Sequence, residues 1–357
     1  MPSIHHFNTF GERMPRFWHE FIARHATTFD QTLPWFCEFE RHLLEPQQRL
    51  KIVALTAADS DEPLAVLPLR SDRIALVGSI HASGLAGLSN YYTSLFAPLC
   101  VPGREPEIAS ALVEAMSQAT VVDLNPVASD SSLLAHAERE WALRGYSVER
   151  YFRFGNWYLE VAGRSSKDYV AGLPGQLRST LQRKGKKLRA RPDVSIRIVT
   201  DPAEVPAAME AYEAVYRSSW KNDEPHKDFI RAVVLEFARR DWLRLGLVQI
   251  GQTPAAAQIW FVYRGTASIF KLAYDEQFTD LSVGSALTLA LMQRVIDEDR
   301  VAVVDYLCGD DNYKRDWMSA RRERVGLRAV RSLSWPGAIH GVLQMVRRVA
   351  GRPAASR

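Results

Sequence analysis

Cysteine is scarce in this 357-residue chain, which has only Cys37, Cys100 and Cys308. Three scattered thiols cannot build a disulfide framework, and they lack the close spacing of a zinc site, so they read as buried thiols. Long apolar runs are missing too. Ala255 to Tyr263, the longest, is broken by Gln258 and falls far short of the ~18 residues needed to span a membrane. Met1 to Asp30 mixes His, Glu, Arg and Asp with its aromatics and holds no secretory apolar core, so a cytoplasmic location is expected. A formal net charge of +4 is too small to mark a nucleic-acid binder. There is no Gly-Lys-Ser/Thr phosphate loop, no His-Glu-x-x-His helix and no dinucleotide fingerprint after the first strand, and no metal is expected.

What the chain does have is enough apolar material, 47% of its residues, to bury substantial cores, and a length that suits two domains. Its most informative stretch runs from Ile269 to Leu287: an apolar strand, a polar loop, Gly284, then a strongly periodic helix. Such a turn aims backbone N–H groups, reinforced by the helix dipole, at a place where a phosphate could sit. A second signal is Arg178 to Arg191, a basic segment without a single acid. It fits either a solvated helix face or a docking surface for a polyanion such as a phosphate-rich cofactor, an anionic headgroup or RNA.

Hydrophobic period divides the chain into two modules with the same order of elements. In the first, helices are expected over Pro15 to Thr28 and Thr32 to Leu44, and strands over Leu50 to Thr56, Leu64 to Arg70 and Arg73 to Ile80. A long loop follows. Next come a helix from Glu105 to Gln118, a strand from Val121 to Leu124, a helix from Ser131 to Arg144, and a hairpin turning at Gly155-Asn156. In the second, a strand over Val194 to Val199, two helices and a hairpin through Gly251 to Pro254 lead to the strand Thr266 to Tyr274 and the glycine turn. A helix with Leu287, Leu291 and Val295 in register, the strand Val301 to Leu307, a short helix near Asn312 and a strand near Val325 complete it. Antiparallel strands followed by a β–loop–α–β crossover define a layered α/β domain, and its repetition points to duplication.

Lys271-Leu-Ala-Tyr-Asp275, Ser282-Val-Gly-Ser-Ala-Leu287, Asp305 to Asp310, and Tyr313-Lys314 with Trp317 carry a resemblance. The second module resembles a GNAT-type acyltransferase domain, and more narrowly the tandem-GNAT CelD/BcsL-type acetyltransferases, a family associated with cellulose biosynthesis. The expected architecture is two tandem GNAT-like domains, each a mixed, mostly antiparallel sheet flanked by helices. Residues 1–162 would be a degenerate GNAT-like domain, 163–334 the acyl-CoA-binding domain, and 335–357 a C-terminal amphipathic helix and tail. The GNAT loop pattern is only partly kept, since Thr279 and Ser282 occupy its first two fixed positions and Gly284 alone is retained. The corresponding first-module loop, Gly87 to Thr93, has no glycine leading directly into a helix. That half is expected to have lost the cofactor and to help shape the acceptor cleft, as in Fem-type transferases.

The resemblance implies acyl-CoA, such as acetyl-CoA, as co-substrate, bound by Ser282, Val283, Gly284 and Ser285. It also suggests Tyr313 as the acid that protonates the departing thiolate, where a packing aromatic is the alternative. Lys314 beside it would meet a phosphate or the acceptor, or simply be solvated. A lone Asp305 in an apolar strand needs a partner, as does Lys271 on the preceding strand, so a Lys271–Asp305 pair near the cleft floor is expected. Asp275 and His226 are the candidate proton acceptors. Trp220 reads as a packing anchor or a platform for a sugar or the cofactor. The function these residues suggest is acyl transfer to an amine or hydroxyl of a small molecule or saccharide. An aminoacyl-tRNA-dependent Fem-like transferase and a catalytically silent protein of an envelope-polysaccharide system are the alternatives. Residues 335–352 would form a basic amphipathic helix that either touches an anionic membrane or docks on the first domain.

Overall fold

The computed structural model describes residues 1–77, 80–339 and 341. The chain forms two compact units, one of residues 1–155 with 323–357 and the other of residues 156–322.

The first unit opens with β1 (Ser3–Phe7), α1 (Arg16–His25) and α2 (Leu33–His42). Then come β2 (Arg49–Thr56), β3 (Pro63–Val77), β4 (Ile80–Gly87) and the short β5 (Leu99–Cys100). The crossover follows as α3 (Glu105–Met116), β6 (Val121–Ala128) and α4 (Ser132–Leu143), and β7 (Tyr146–Glu160) carries the chain into the second unit. The strands run antiparallel except for β4 and β6, which pair in parallel through Leu85 with Val122 and Ala86 with Asp123. The core lies against this sheet, where Leu112 and Met116 of α3 meet Leu134 and Trp141 of α4.

Three expectations fail along this stretch. Residues 64–70 and 73–77 of the two foreseen strands belong to one continuous β3, Ile80 begins β4, and the rest of β4 occupies the foreseen loop, where its Ala, Ser and Gly side chains hide the usual β signature. The foreseen hairpin at Gly155-Asn156 is an unbroken β7. Asn156 is a buried strand residue whose carboxamide donates to Asp305 Oδ1 at 2.6 Å and to the Leu307 carbonyl at 2.9 Å, so it has no need of a turn.

The second unit continues with α5 (Ser166–Ala171), α6 (Gly175–Arg189), β8 (Val194–Val199), α7 (Val205–Arg217) and α8 (Lys227–Ala238). Strands β9 (Leu243–Ile250), β10 (Thr253–Tyr263) and β11 (Thr266–Tyr274) form the meander, and α9 (Val283–Gln293) crosses to β12 (Val303–Asp305). Helix α10 (Asn312–Trp317) and β13 (Ala320–Arg331) follow, β13 from residue 323 on belonging to the first unit. Within the unit the strand order is β7-β12-β11-β10-β9-β8, again antiparallel except for the single parallel pair, β11 with β12. Residues 324–330 of β13 pair with β6 in the first unit.

Leu287, Leu291 and Val295 are fully buried, as their helical spacing predicts. Helix α9 sits so close to the sheet that a Cβ on Gly246 would lie 2.8 Å from Leu287 Cδ1, so β9 needs a glycine there. Residues 335–339 are helical, and apart from residue 341 the rest of the expected helix 335–352 lies outside the described residues. No described helix is long and apolar enough to cross a membrane.

Candidate active site

Strands β11 and β12 stay together only where Thr266 to Ser268 face Val303 to Asp305. Beyond that point β11 runs on to Tyr274, while the other strand stops at Asp305 and the chain turns away, so the sheet opens on this side. A β-bulge on β11 marks the start of the opening: Ile259 faces Lys271 and Trp260 faces Ile269, which leaves Phe270 without a cross-strand partner on β10.

The turn after β12 has an unusual backbone that its side chains hold in place. Leu307 has φ 55° and Gly309 has φ 100°, and only the glycine adopts such a value at no cost. Asp305 Oδ1 accepts the Leu307 N–H at 2.7 Å, and Oδ2 takes Arg322 Nη2 at 2.5 Å. Lys314 is buried and donates its ammonium to the carbonyls of Cys308 at 2.5 Å and Gly309 at 3.3 Å. Trp157 Nε1 donates to Asp310 at 2.7 Å, and the Arg321 guanidinium, its stronger partner, holds the Asp310 carboxyl below its ordinary range.

Across the opening stands the start of α9. Asp275 caps the preceding 3-10 turn, accepting the Gln277 N–H at 3.0 Å on one oxygen and Gln277 Nε2 at 2.7 Å on the other. Ser282 then takes a left-handed conformation at φ 52°, and α9 begins with no acid in its first turn. The N–H groups at the start of a helix have no carbonyl partner within it and carry its positive dipole end, and here they belong to Val283, Gly284 and Ser285. Gln258, only 2% exposed, fixes this first turn. Its Nε2 donates to the Gly284 carbonyl at 3.1 Å and to Thr288 Oγ1 at 2.8 Å, while its Oε1 accepts Trp260 Nε1 at 2.9 Å.

The basic segment is helix α6, and it lies beside α9. Leu181 and Leu188 anchor it in the core, while the Lys184 ammonium donates to the Asp280 carbonyl just ahead of the glycine turn. A cavity of about 240 Å³ separates the two helices, and Lys184, Arg189, Ser282, Ser285 and Gln293 are among its lining residues. Both signals singled out in the sequence thus share one groove.

The remaining wall is aromatic and cationic. The Tyr274 ring lies 3.1 Å from where a Cβ on Gly284 would be, and it packs against Trp220 with centroids 4.6 Å apart. Trp220 is 50% exposed. Lys221 beside it has its Nζ 5.8 Å from the Trp220 ring and 5.9 Å from the Tyr216 ring. Burial, joined by the charges of Lys271 and Lys314, lowers its ammonium to about 8. Tyr313 stands edge-on to Tyr306 at 5.8 Å and is 45% exposed. Partial burial and the Asp311 carboxylate push its phenol up, so it carries its proton at neutral pH.

The expected Lys271–Asp305 pair does not form. Lys271 Nζ bonds Glu224 at 2.6 Å, and Asp305 bonds Asn156, Arg322 and the backbone of the turn, because each finds a partner from an element distant in sequence. Lys314 braces a loop, and Asp275 is a cap. His226 is partly exposed and precedes the first turn of α8, where its N–H donates to Glu224 at 3.4 Å. Lys221, Gln258 and Glu224 were not foreseen. Gln258 alone had a signal, a polar residue inside the longest apolar run.

Residues 175–315 match the family model described as an acetyltransferase (GNAT) domain. Several solved structures share the fold along nearly the whole chain. FemX does so at a TM-score of 0.61 and 10% identity, covering 96% of this chain and 99% of that one. L-PGS from Bacillus licheniformis gives 0.54 and 12%, covering 95% and 98%, and a tandem GNAT protein from the clavulanic acid biosynthesis pathway gives 0.50 and 12%, covering 93% and 100%. At such identities these likenesses speak for the fold alone. No curated protein matches the sequence. The chain is an enzyme of the acyltransferase type with a GNAT fold.

Proposed function

We propose that the chain transfers an acyl group from acyl-CoA to an amine or hydroxyl of a small molecule or saccharide, and that the chemistry takes place in the second unit. The observation that carries this reading is the acid-free start of α9 at the open side of β11 and β12, with the lysines and arginines of α6 alongside. GNAT domains generally bind acyl-CoA, and the residues fit it. Gly284 presents bare backbone, Ser282 and Ser285 line the groove, and Lys184 and Arg189 supply charge for phosphates. The resemblance to CelD/BcsL-type proteins suggests exopolysaccharide or cellulose metabolism as the setting.

Acyl-CoA supplies the activated carbonyl; this chain supplies the proton handling. Lys221, partly neutral near pH 8, takes the proton from the acceptor amine or hydroxyl as that atom forms its bond to the carbonyl carbon. The carbon–sulfur bond breaks, and Tyr313 gives its proton to the departing sulfur. With both oxygens of Asp275 bonded to Gln277, His226 remains the second candidate acceptor of the proton. Trp220 and Tyr274 offer an aromatic surface for an apolar or sugar face.

The full-length likeness to FemX favours a second reading, in which the donor is an aminoacyl-tRNA held by α6. Calorimetric titration of the native chain with CoA and with aminoacyl-tRNA separates the two. We expect CoA to bind, and Gly284→Glu to abolish that binding in a folded protein by placing a carboxylate at the phosphate position. Binding of tRNA without CoA would overturn the first reading in favour of the second.

A further inference from the structure

The first unit has a cavity of its own, about 260 Å³ in volume, between α3, α4 and the sheet. Leu112 and Met116 of α3, Leu124 of β6, and Leu134, Ala137 and Trp141 of α4 are among its lining residues. Its lining holds no Lys, Arg, Asp or Glu, and His25, Thr27, Gln31 and Ser131 are its polar members. Protein interiors are packed nearly as tightly as organic crystals, and voids larger than a few waters are rare in them. An apolar cavity of ~150 Å³ is already enough to bind benzene.

This cavity has a built wall. The loop that supplies Phe96 is pinned by the buried carboxylate of Asp30, which accepts the Ser94 N–H at 2.7 Å, Ser94 Oγ at 2.9 Å and the Leu95 N–H at 3.2 Å. Trp141 adds a polar feature. Its side chain is fully buried, and its indole N–H has no hydrogen-bond partner. An unpaired buried donor is costly, and a ligand that brings an acceptor removes the cost. By element order α3 and α4 are the counterparts of α9 and α10, so this unit keeps the two-helix frame around a largely apolar interior.

We propose that this cavity binds a neutral aliphatic or alkyl-aromatic molecule of roughly ten carbons, scaled from the benzene case, with a single acceptor oxygen that takes the Trp141 indole proton. The lining has no Lys or Arg to pair with a carboxylate or phosphate, and its largely apolar wall disfavours a free sugar. The site is independent of the transfer chemistry in the second unit, so its test does not use activity.

Ligand-detected NMR titrations of the full native chain with methyl octanoate, which carries an acceptor, and n-butylbenzene, which does not, provide the test. Both should bind saturably, and sodium octanoate should not. Trp141→Phe should weaken methyl octanoate about five- to tenfold while changing n-butylbenzene less than about twofold, as the loss of one hydrogen bond requires. Ala137→Phe should abolish binding of both by filling the cavity, with Ala137→Leu as the milder filler should the larger ring prevent folding. No saturable binding to the native chain, or undiminished binding to a folded filled variant, would overturn the site. An equal loss of both probes in Trp141→Phe would overturn the assigned acceptor.

Discussion

Gln258 on β10 and Gly284 at the start of α9 are joined by a 3.1 Å hydrogen bond from the amide Nε2 to the backbone carbonyl. Through it an interior strand sets the height of the first turn of α9. Because the same carboxamide also serves Thr288 and Trp260, Gln258→Leu should leave the Trp260 N–H buried and unpaired. We expect a stability loss of about 2–4 kcal/mol by urea denaturation, and CoA affinity lower by about tenfold by calorimetry. Unchanged affinity at reduced stability would show that the turn holds its place without this residue.

Lys221 sets a pH dependence. Its neutral form accepts the proton, and with the ammonium lowered to about 8 the neutral fraction grows up to that pH and then levels off. Accordingly kcat/KM should fall about tenfold per unit below pH 8 and stay flat above it. In Lys221→Gln that limb should vanish along with about 10²–10⁴ of the rate. A limb that persists in this variant would pass the role to His226. Native stability responds in the window above that limb: the folded ammonium is the weaker proton holder, so the native state gains as pH rises from about 8 to the ordinary lysine range and then levels off.

Tyr313→Phe removes the proposed proton donor and keeps the ring that meets Tyr306 edge-on. Turnover should drop by about 10²–10⁴ with CoA affinity little changed, as steady-state kinetics and titration would record. Full turnover in the variant would leave Tyr313 as a packing aromatic.

The Lys271–Glu224 pair is largely withdrawn from water, with side-chain exposures of 14% and 6%. Glu224→Ala strips the counter-charge from a buried ammonium and should cost about 3–5 kcal/mol in chemical denaturation. Replacing both residues, as Glu224→Leu with Lys271→Met, should recover most of that loss. If the single variant costs nothing measurable, the pair is more hydrated than its burial indicates.

The parts of this fold legible in the sequence were those with strong period or strong punctuation. The meander from Leu243 to Tyr274 was readable because Gly251 and Pro254 punctuate two β-type runs, and α9 because Leu287, Leu291 and Val295 recur every fourth residue. Strand β4 was hidden because small residues carry little β signal, and Gly155-Asn156 resembled a turn because the strand's need for a buried carboxamide is invisible locally. In the site, the segments that match the acyltransferase pattern could be found one by one. Their partners could not, since Glu224 and Arg322 meet Lys271 and Asp305 only through the folded topology. Lys221 looked like any loop lysine, for its lowered proton affinity comes first from burial in the fold and then from the charges of Lys271 and Lys314, which are distant in the chain.

Strand β13 has a consequence for synthesis on the ribosome. Its residues 324–330 cover the open edge of β6, yet they follow the entire second unit in the chain. While residues 156–322 are translated, a span of about 10–30 s at ~5–20 residues per second, β6 presents unpaired backbone groups to whatever is near. The nascent first unit thus spends that interval with a sticky edge, the kind that recruits stray strands on crowded polysomes. Release of a chain truncated before β13 should yield a protein that aggregates through its N-terminal half, even though every residue of that half has been made.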